Sequence, residues 1–205
     1  MKKLISIALA LTICTLFVSC RSSDIKNAQE LINALPDTYT SDAEQAFNDA
    51  KAAYDALPEE DKHSIDITKM ETLESAKKAS DIMEIVKKLP SKLTDFSDFQ
   101  KFYDGIMEIK DIGVPNDTIK YLDVDKLIDA AGVLMDYHDK IGEETRKLTE
   151  SVSLEDSSTE ELKAAQEKVE AIMKKYLGTD ENGSKGFDNM YEEATDVLYS
   201  IIKKF

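Results

Sequence analysis

The sequence predicts an all-α chain, built as tandem three-helix-bundle modules that share long connecting helices. Three observations carry this expectation. Apolar residues recur at three- and four-residue spacing from Ile25 to Ile201, and no segment alternates as a strand does. Prolines, glycines and Ser/Thr-x-x-Glu patterns punctuate that periodicity at helix-length intervals. One stretch of the chain also repeats itself at an offset of 54 residues.

Taken in order, Ile25, Ala28, Leu31, Ile32 and Leu35 form a first apolar stripe, stopped by Pro36. Ser41-x-x-Glu44 reads as a capping box opening a second helix, in which Ala43, Phe47, Ala50, Tyr54 and Leu57 face inward before Pro58 ends it. Thr68-x-x-Glu71 opens a longer helix to about Leu89, with Met70, Leu73, Ala76, Ile82, Met83 and Val86 on its stripe and Pro90 beyond. Phe96, Phe99, Phe102, Tyr103, Ile106 and Ile109 mark a helix ending near Gly113 and Pro115. Asp123 or Asp125 caps the next long helix, carrying Leu127, Ile128, Ala131, Leu134, Met135 and Ile141. After the polar link SVSLEDSS, Ser158-x-x-Glu161 caps a helix bearing Leu162, Ala165, Val169, Ile172, Met173 and Tyr176, with Gly178 as its stop. Beyond the loop TDENGSKG, Phe187, Met190, Tyr191, Ala194, Leu198 and Ile201 define the last helix.

The repeat organises these elements. Leu31-Ile32-x-x-Leu35-Pro36 matches Ile85-Val86-x-x-Leu89-Pro90, and Leu73-x-x-Ala76 matches Leu127-x-x-Ala130. Between them, Phe47–Leu57 matches Phe102–Ile112 with a one-residue shift. The expected division is therefore residues 1–19 apart, helical modules at 20–80 and 81–134, and a diverged third copy at 135–205.

Residues 1–19 are different in kind. Lys2 and Lys3 precede an unbroken apolar run from Leu4 to Val18, 15 residues long and short against the roughly 20 that span a bilayer. Small Ser19 and then Cys20 follow. This resembles a bacterial lipoprotein signal peptide ending in the lipobox Phe17-Val18-Ser19-Cys20. The resemblance implies that the Cys20 thiol receives a diacylglyceryl group, palmitate-like in its chains, and that cleavage leaves Cys20 as the new N-terminus. Cys20 is thus the one candidate site residue, a lipidation site. An uncleaved N-terminal membrane helix is the alternative, and either places the remainder at the extracytoplasmic face of the cell membrane. Cys14 would leave with the signal, so no disulfide framework is expected. Only Arg21, Ser22 and Ser23 separate Cys20 from the first stripe, a tether of about 10 Å.

The segments LINALPDTYTSD, AKAAYDALPEEDKHSI and METLESA are in turn similar to small helical modules of Firmicutes surface proteins. The matching residues are Leu31, Ile32, Leu35, Pro36, Ala53, Tyr54, Asp55, Leu57, Lys62, Leu73 and Ala76. Such modules are spacers or non-catalytic appendages, so the resemblance implies architecture and carries over no active site. Arg21 and Arg146 are the only arginines, a lysine bias that fits a low-GC Gram-positive source.

Composition narrows the function further. With 41 acidic against 26 basic residues the net charge is −15, which repels phosphate backbones and disfavours nucleic acid as a partner. The same charge repels anionic headgroups, leaving the lipid on Cys20 as the expected link to the membrane. His63 and His138 lack a second ligand at i+3 or i+4 and read as solvated. The loop Asp180-Glu181-Asn182-Gly183-Ser184 hints at calcium, but Lys185 stands where an EF-hand starting at Asp180 needs glycine. Phe96, Phe99, Phe102 and Tyr103 could form a sugar-stacking platform, but their spacing is that of a buried stripe. No nucleophile elbow or phosphate-binding loop appears. The expectation is no catalytic residue, no cofactor and no metal: a lipid-anchored interaction or spacer module with an unknown protein partner. The alternative is a substrate- or glycan-binding lipoprotein with a groove between helical modules.

Overall fold

The structure, a computed structural model, describes residues 22–150, 158–178 and 183–205. Among them the chain is all-helical, with no strand. Helix α1 covers residues 22–34, followed by α2 (Glu44–Asp55), α3 (Glu59–Lys62), α4 (Thr68–Lys88), α5 (Phe96–Ile112), α6 (Val124–Glu150), α7 (Thr159–Leu177) and α8 (Gly183–Ile202). Short 3₁₀ turns stand at Ser41–Ala43 and Ile119–Tyr121. The compact units are two, one reaching to Lys77 and one running Lys78–Phe205.

In the N-terminal unit, Ala28, Ile32, Leu35, Phe47, Ala50, Leu57, Ile65, Met70 and Leu73 form one core. Polar contacts tie its edges. The Gln29 side chain both donates to the Asp66 carbonyl (3.3 Å) and accepts from the Asp66 amide (2.9 Å). Lys69 Nζ donates to the Asn33 carbonyl at 3.1 Å and pairs with Asp37 at 3.3 Å. These groups are exposed, so they add register more than stability.

In the C-terminal unit, α5, α6 and α7 each pack on α8, and α7 also lies against α5 and α6. Its centre is aromatic. Phe99 sits 5.7 Å from the Tyr137 ring, 4.7 Å from Phe187 and 5.9 Å from Phe96, and Tyr137 meets Tyr176 edge-on at 5.8 Å. The Tyr137 hydroxyl donates to the Tyr176 carbonyl at 2.9 Å, which satisfies a phenol that is only 1% exposed. Gly178 ends α7 at φ 86°, and a Cβ there would lie 2.9 Å from the Phe96 ring, so only glycine can turn the chain over that ring.

The boundary expected at residue 134 falls inside α6, and Phe99, Leu127 and Leu134 share a single core with Tyr176, Phe187 and Leu198. The reason is that α6 runs on for four turns past residue 134 and packs against both α7 and α8.

Local signals fared unevenly. The capping box at Ser158 forms, the amide of Glu161 donating to Ser158 Oγ and the amide of Ser158 to Glu161 Oε2. The boxes read at Ser41 and Thr68 do not. Ser41 lies inside a 3₁₀ turn ahead of α2, and at the start of α4 the Glu71 amide donates to the Ile67 carbonyl while Asp66 Oδ1 accepts the Thr68 amide. An unpredicted box opens α5, where Asp95 accepts from the Asp98 amide and Asp98 accepts from the Thr94 amide and hydroxyl. Ser22 and Ser23 lie within helix α1 and not in a tether. Helix α8 starts at Gly183, four residues before the expected Phe187.

Within the described residues Thr118 is fully buried and its Oγ1 has no hydrogen-bond partner. Burying an unpaired hydroxyl is costly, and valine has nearly the same shape. Thr118→Val is therefore expected to raise stability by about 1 kcal/mol. Thermal melts followed by circular dichroism check this, and a lowered Tm would count against it.

Candidate functional site

A groove of about 560 Å³ lies between the C-terminal end of α5 and one face of α8. Residues 189, 193, 196 and 200 of α8 recur at helical spacing and therefore share that face. Gly113, at φ 73°, ends α5 and turns the backbone so that the Val114 carbonyl meets Lys204 Nζ at 2.6 Å. Ile109, Val114, Val197 and Ile201 supply apolar lining, while Glu192, Glu193, Asp196, Lys110 and Lys204 supply charge.

One wall carries a clamp. The Tyr103 hydroxyl donates to Glu193 Oε2 at 2.6 Å, and Lys110 Nζ donates to Glu193 Oε1 at 2.6 Å. The hydrogen bond from Lys110, then that from Tyr103, holds the Glu193 carboxyl below its usual range. The same carboxylate raises Lys110, and with burial it pushes the Tyr103 phenol up to about 12. Near neutral pH the clamp therefore holds one carboxylate, one ammonium and one neutral phenol. None of the three is poised to exchange a proton there, so this set positions α5 on α8 and does not act as an acid or base.

The sign of the linkage follows. Glu193 is depressed in the folded chain, so its contribution is present above pH 4.5 and is lost as pH falls through the folded value. Lys110→Met should return the Glu193 titration toward 4.5. A ¹³C-carboxyl NMR titration reads this directly, and an unchanged midpoint would show that Lys110 is not the cause.

The residues singled out in the sequence are distributed as follows. Cys20 lies outside the described residues, as do 180–182 of the loop weighed for calcium. His63 is exposed after α3. His138 is exposed on α6, stacking on Tyr191 at 4.7 Å with Asp139 at 3.9 Å from Nδ1. Phe99 and Phe102 are fully buried, so the aromatic run is core and not a sugar platform. Tyr103 is the exception, its ring packed on the core while its hydroxyl reaches the groove wall. Among the described residues no group of three His, Cys, Asp or Glu side chains could hold a metal ion, and no helix is long and apolar enough to cross a membrane. The Glu193 clamp had no signal in the sequence, because its partners stand 83 and 90 residues away.

No protein-family model, no curated protein and no solved structure matches this chain.

Proposed function

We propose that this protein is a lipid-anchored helical module at the extracytoplasmic face of the cell membrane, acting through interaction or as a spacer and without catalysis. The observation that carries the reading is the N-terminal pattern: Lys2 and Lys3, the apolar run Leu4–Val18, and Phe17-Val18-Ser19-Cys20. With Ser22 already in α1, little chain lies between Cys20 and the first helix. An anchored protein would hold its first helices close to the headgroups, and the net charge of −15 would turn the rest away from an anionic surface.

The finer architecture, tandem three-helix modules sharing connecting helices, belongs to the same proposal. It is supported by similar burial at equivalent positions: Ile32 with Val86, Phe47 with Phe102, and Leu73 with Leu127. Both α1 and α4 also end two residues before a proline, Pro36 and Pro90.

Growing the source cells with an alkynyl palmitate analogue tests the anchor. Label that stays on the protein through denaturing electrophoresis is the expected result, and unlabelled protein would sink the reading. The groove between α5 and α8 favours a second reading, a lipoprotein that binds a small polar ligand such as a sugar. A melting shift with one member of a soluble sugar panel, abolished by Lys110→Met, would favour that reading. No shift across the panel would count against it.

A further inference from the structure

Helix α6 carries two apolar stripes, and among the described residues only one of them packs into the core. Leu127, Ala130, Leu134 and Tyr137 face the core. Ile128, Gly132 and Met135 follow at i, i+4 and i+7, within roughly 60° of one another and well away from the core stripe. Ile128 is 49% exposed and Met135 58%, the largest exposures of apolar side chains on this helix. Between them, a Cβ on Gly132 would meet nothing within 4 Å. Packing among the described residues therefore gives no reason for glycine, which weakens a helix interior. A backbone or side chain approaching from outside would.

The edges of the stripe differ. Asp125, Asp129 and Asp136 run along one side, and Asp139, i+4 from Met135 and i+7 from Gly132, stands at the end of the stripe itself, all exposed. The other side carries Ala131 and His138. The fitting occupant has apolar residues at i, i+4 and i+7 with lysine or arginine along one edge. We propose that this outward stripe of α6 docks a basic amphipathic helix of a partner protein. The proposal rests on the reading of the chain as an interaction module, and it names the surface and the partner's chemistry. A second copy would bring its own aspartate row and its own charge of −15 to the contact, and an anionic lipid surface would be repelled by the same row.

The test uses the full-length chain in a non-ionic detergent. The probe is a labelled synthetic peptide of about 18 residues, with leucines at i, i+4 and i+7 and lysines along one edge, read by fluorescence anisotropy. It should bind at least about tenfold more tightly than a scramble of identical composition, or than a version with glutamates for the lysines. Ile128→Asp with Met135→Asp, both exposed, should weaken binding about tenfold while the melting temperature holds. Gly132→Leu should raise the melting temperature and weaken binding, opposite signs that a purely structural role would not produce. Asp129→Asn with Asp136→Asn should weaken binding and flatten its salt dependence. Equal binding of the scramble, or binding unchanged in the Ile128/Met135 variant, would overturn the proposal. So would a doubled molecular mass that Ile128→Asp abolishes, since a second copy would then be the occupant. Failed peptide binding alongside intact acyl labelling counts against the stripe and leaves the anchored module standing.

Discussion

Phe99→Ala should lower the unfolding free energy of the C-terminal unit by about 3–5 kcal/mol, the largest single effect expected within the fold. The side chain is fully buried, and its ring contacts Phe96, Tyr137 and Phe187 from three different helices. Truncation removes the burial of an aromatic ring and leaves a cavity that rigid neighbours cannot close. The Tyr137 hydroxyl is fixed on the Tyr176 carbonyl, so that ring is not free to collapse inward. Small domains have stabilities of about 5–15 kcal/mol, so the loss is a large share of the total. Urea unfolding followed at 222 nm measures it. A shift in midpoint under 1 M, taking a slope of about 1–3 kcal/mol/M, would mean that the aromatic centre is less tightly packed than its ring distances imply.

Cys20→Ala should move the protein out of the membrane fraction or leave it unprocessed, and here the effect is close to all-or-none. Each buried CH₂ contributes about 0.8 kcal/mol, so one acyl chain holds a protein only marginally, while the two chains of a diacylglyceryl cysteine hold it firmly. The net charge of −15 disfavours attachment of the helical part to an anionic surface. Fractionation and immunoblotting of cells carrying the variant decide the matter. A mutant that remains membrane-bound at the mature size would show that something other than Cys20 anchors it.

Much of the helix plan is legible without coordinates, because helix formation is dictated locally. Spacing of apolar residues set α4, α5 and α7 to within about two residues. Stops at Gly113 and Gly178 are equally local, since a positive φ favours glycine wherever it occurs. Caps were harder. Ser41-x-x-Glu44 and Thr68-x-x-Glu71 have the composition of capping boxes, but Ser41 is taken into a 3₁₀ turn and the Glu71 amide is already satisfied by the Ile67 carbonyl.

Facing is where periodicity misled. Ile128, Met135, Val169 and Met173 fit an amphipathic stripe as well as their neighbours do, and all four are exposed. On α6 the true core face runs through Leu127, Leu134 and Tyr137. A helix carrying apolar residues at adjacent positions has two admissible faces, and only its packing partners select one. Tyr137 shows the converse. It was absent from the expected stripe, yet it is among the largest fully buried side chains because Tyr176 offers its hydroxyl an acceptor.

By itself, then, the sequence determined the all-helical character of the described residues, where most of their helices begin and end, and the net charge of −15. Tertiary structure alone decided that residues 81–134 and 135–205 share one core, that Glu193 joins Tyr103 and Lys110, and which face of α6 is left outward. The physical reason is range. Helix propensity, caps and stops act over a few neighbours in the chain, whereas burial and ion pairing depend on residues brought together from 80 or 90 positions away.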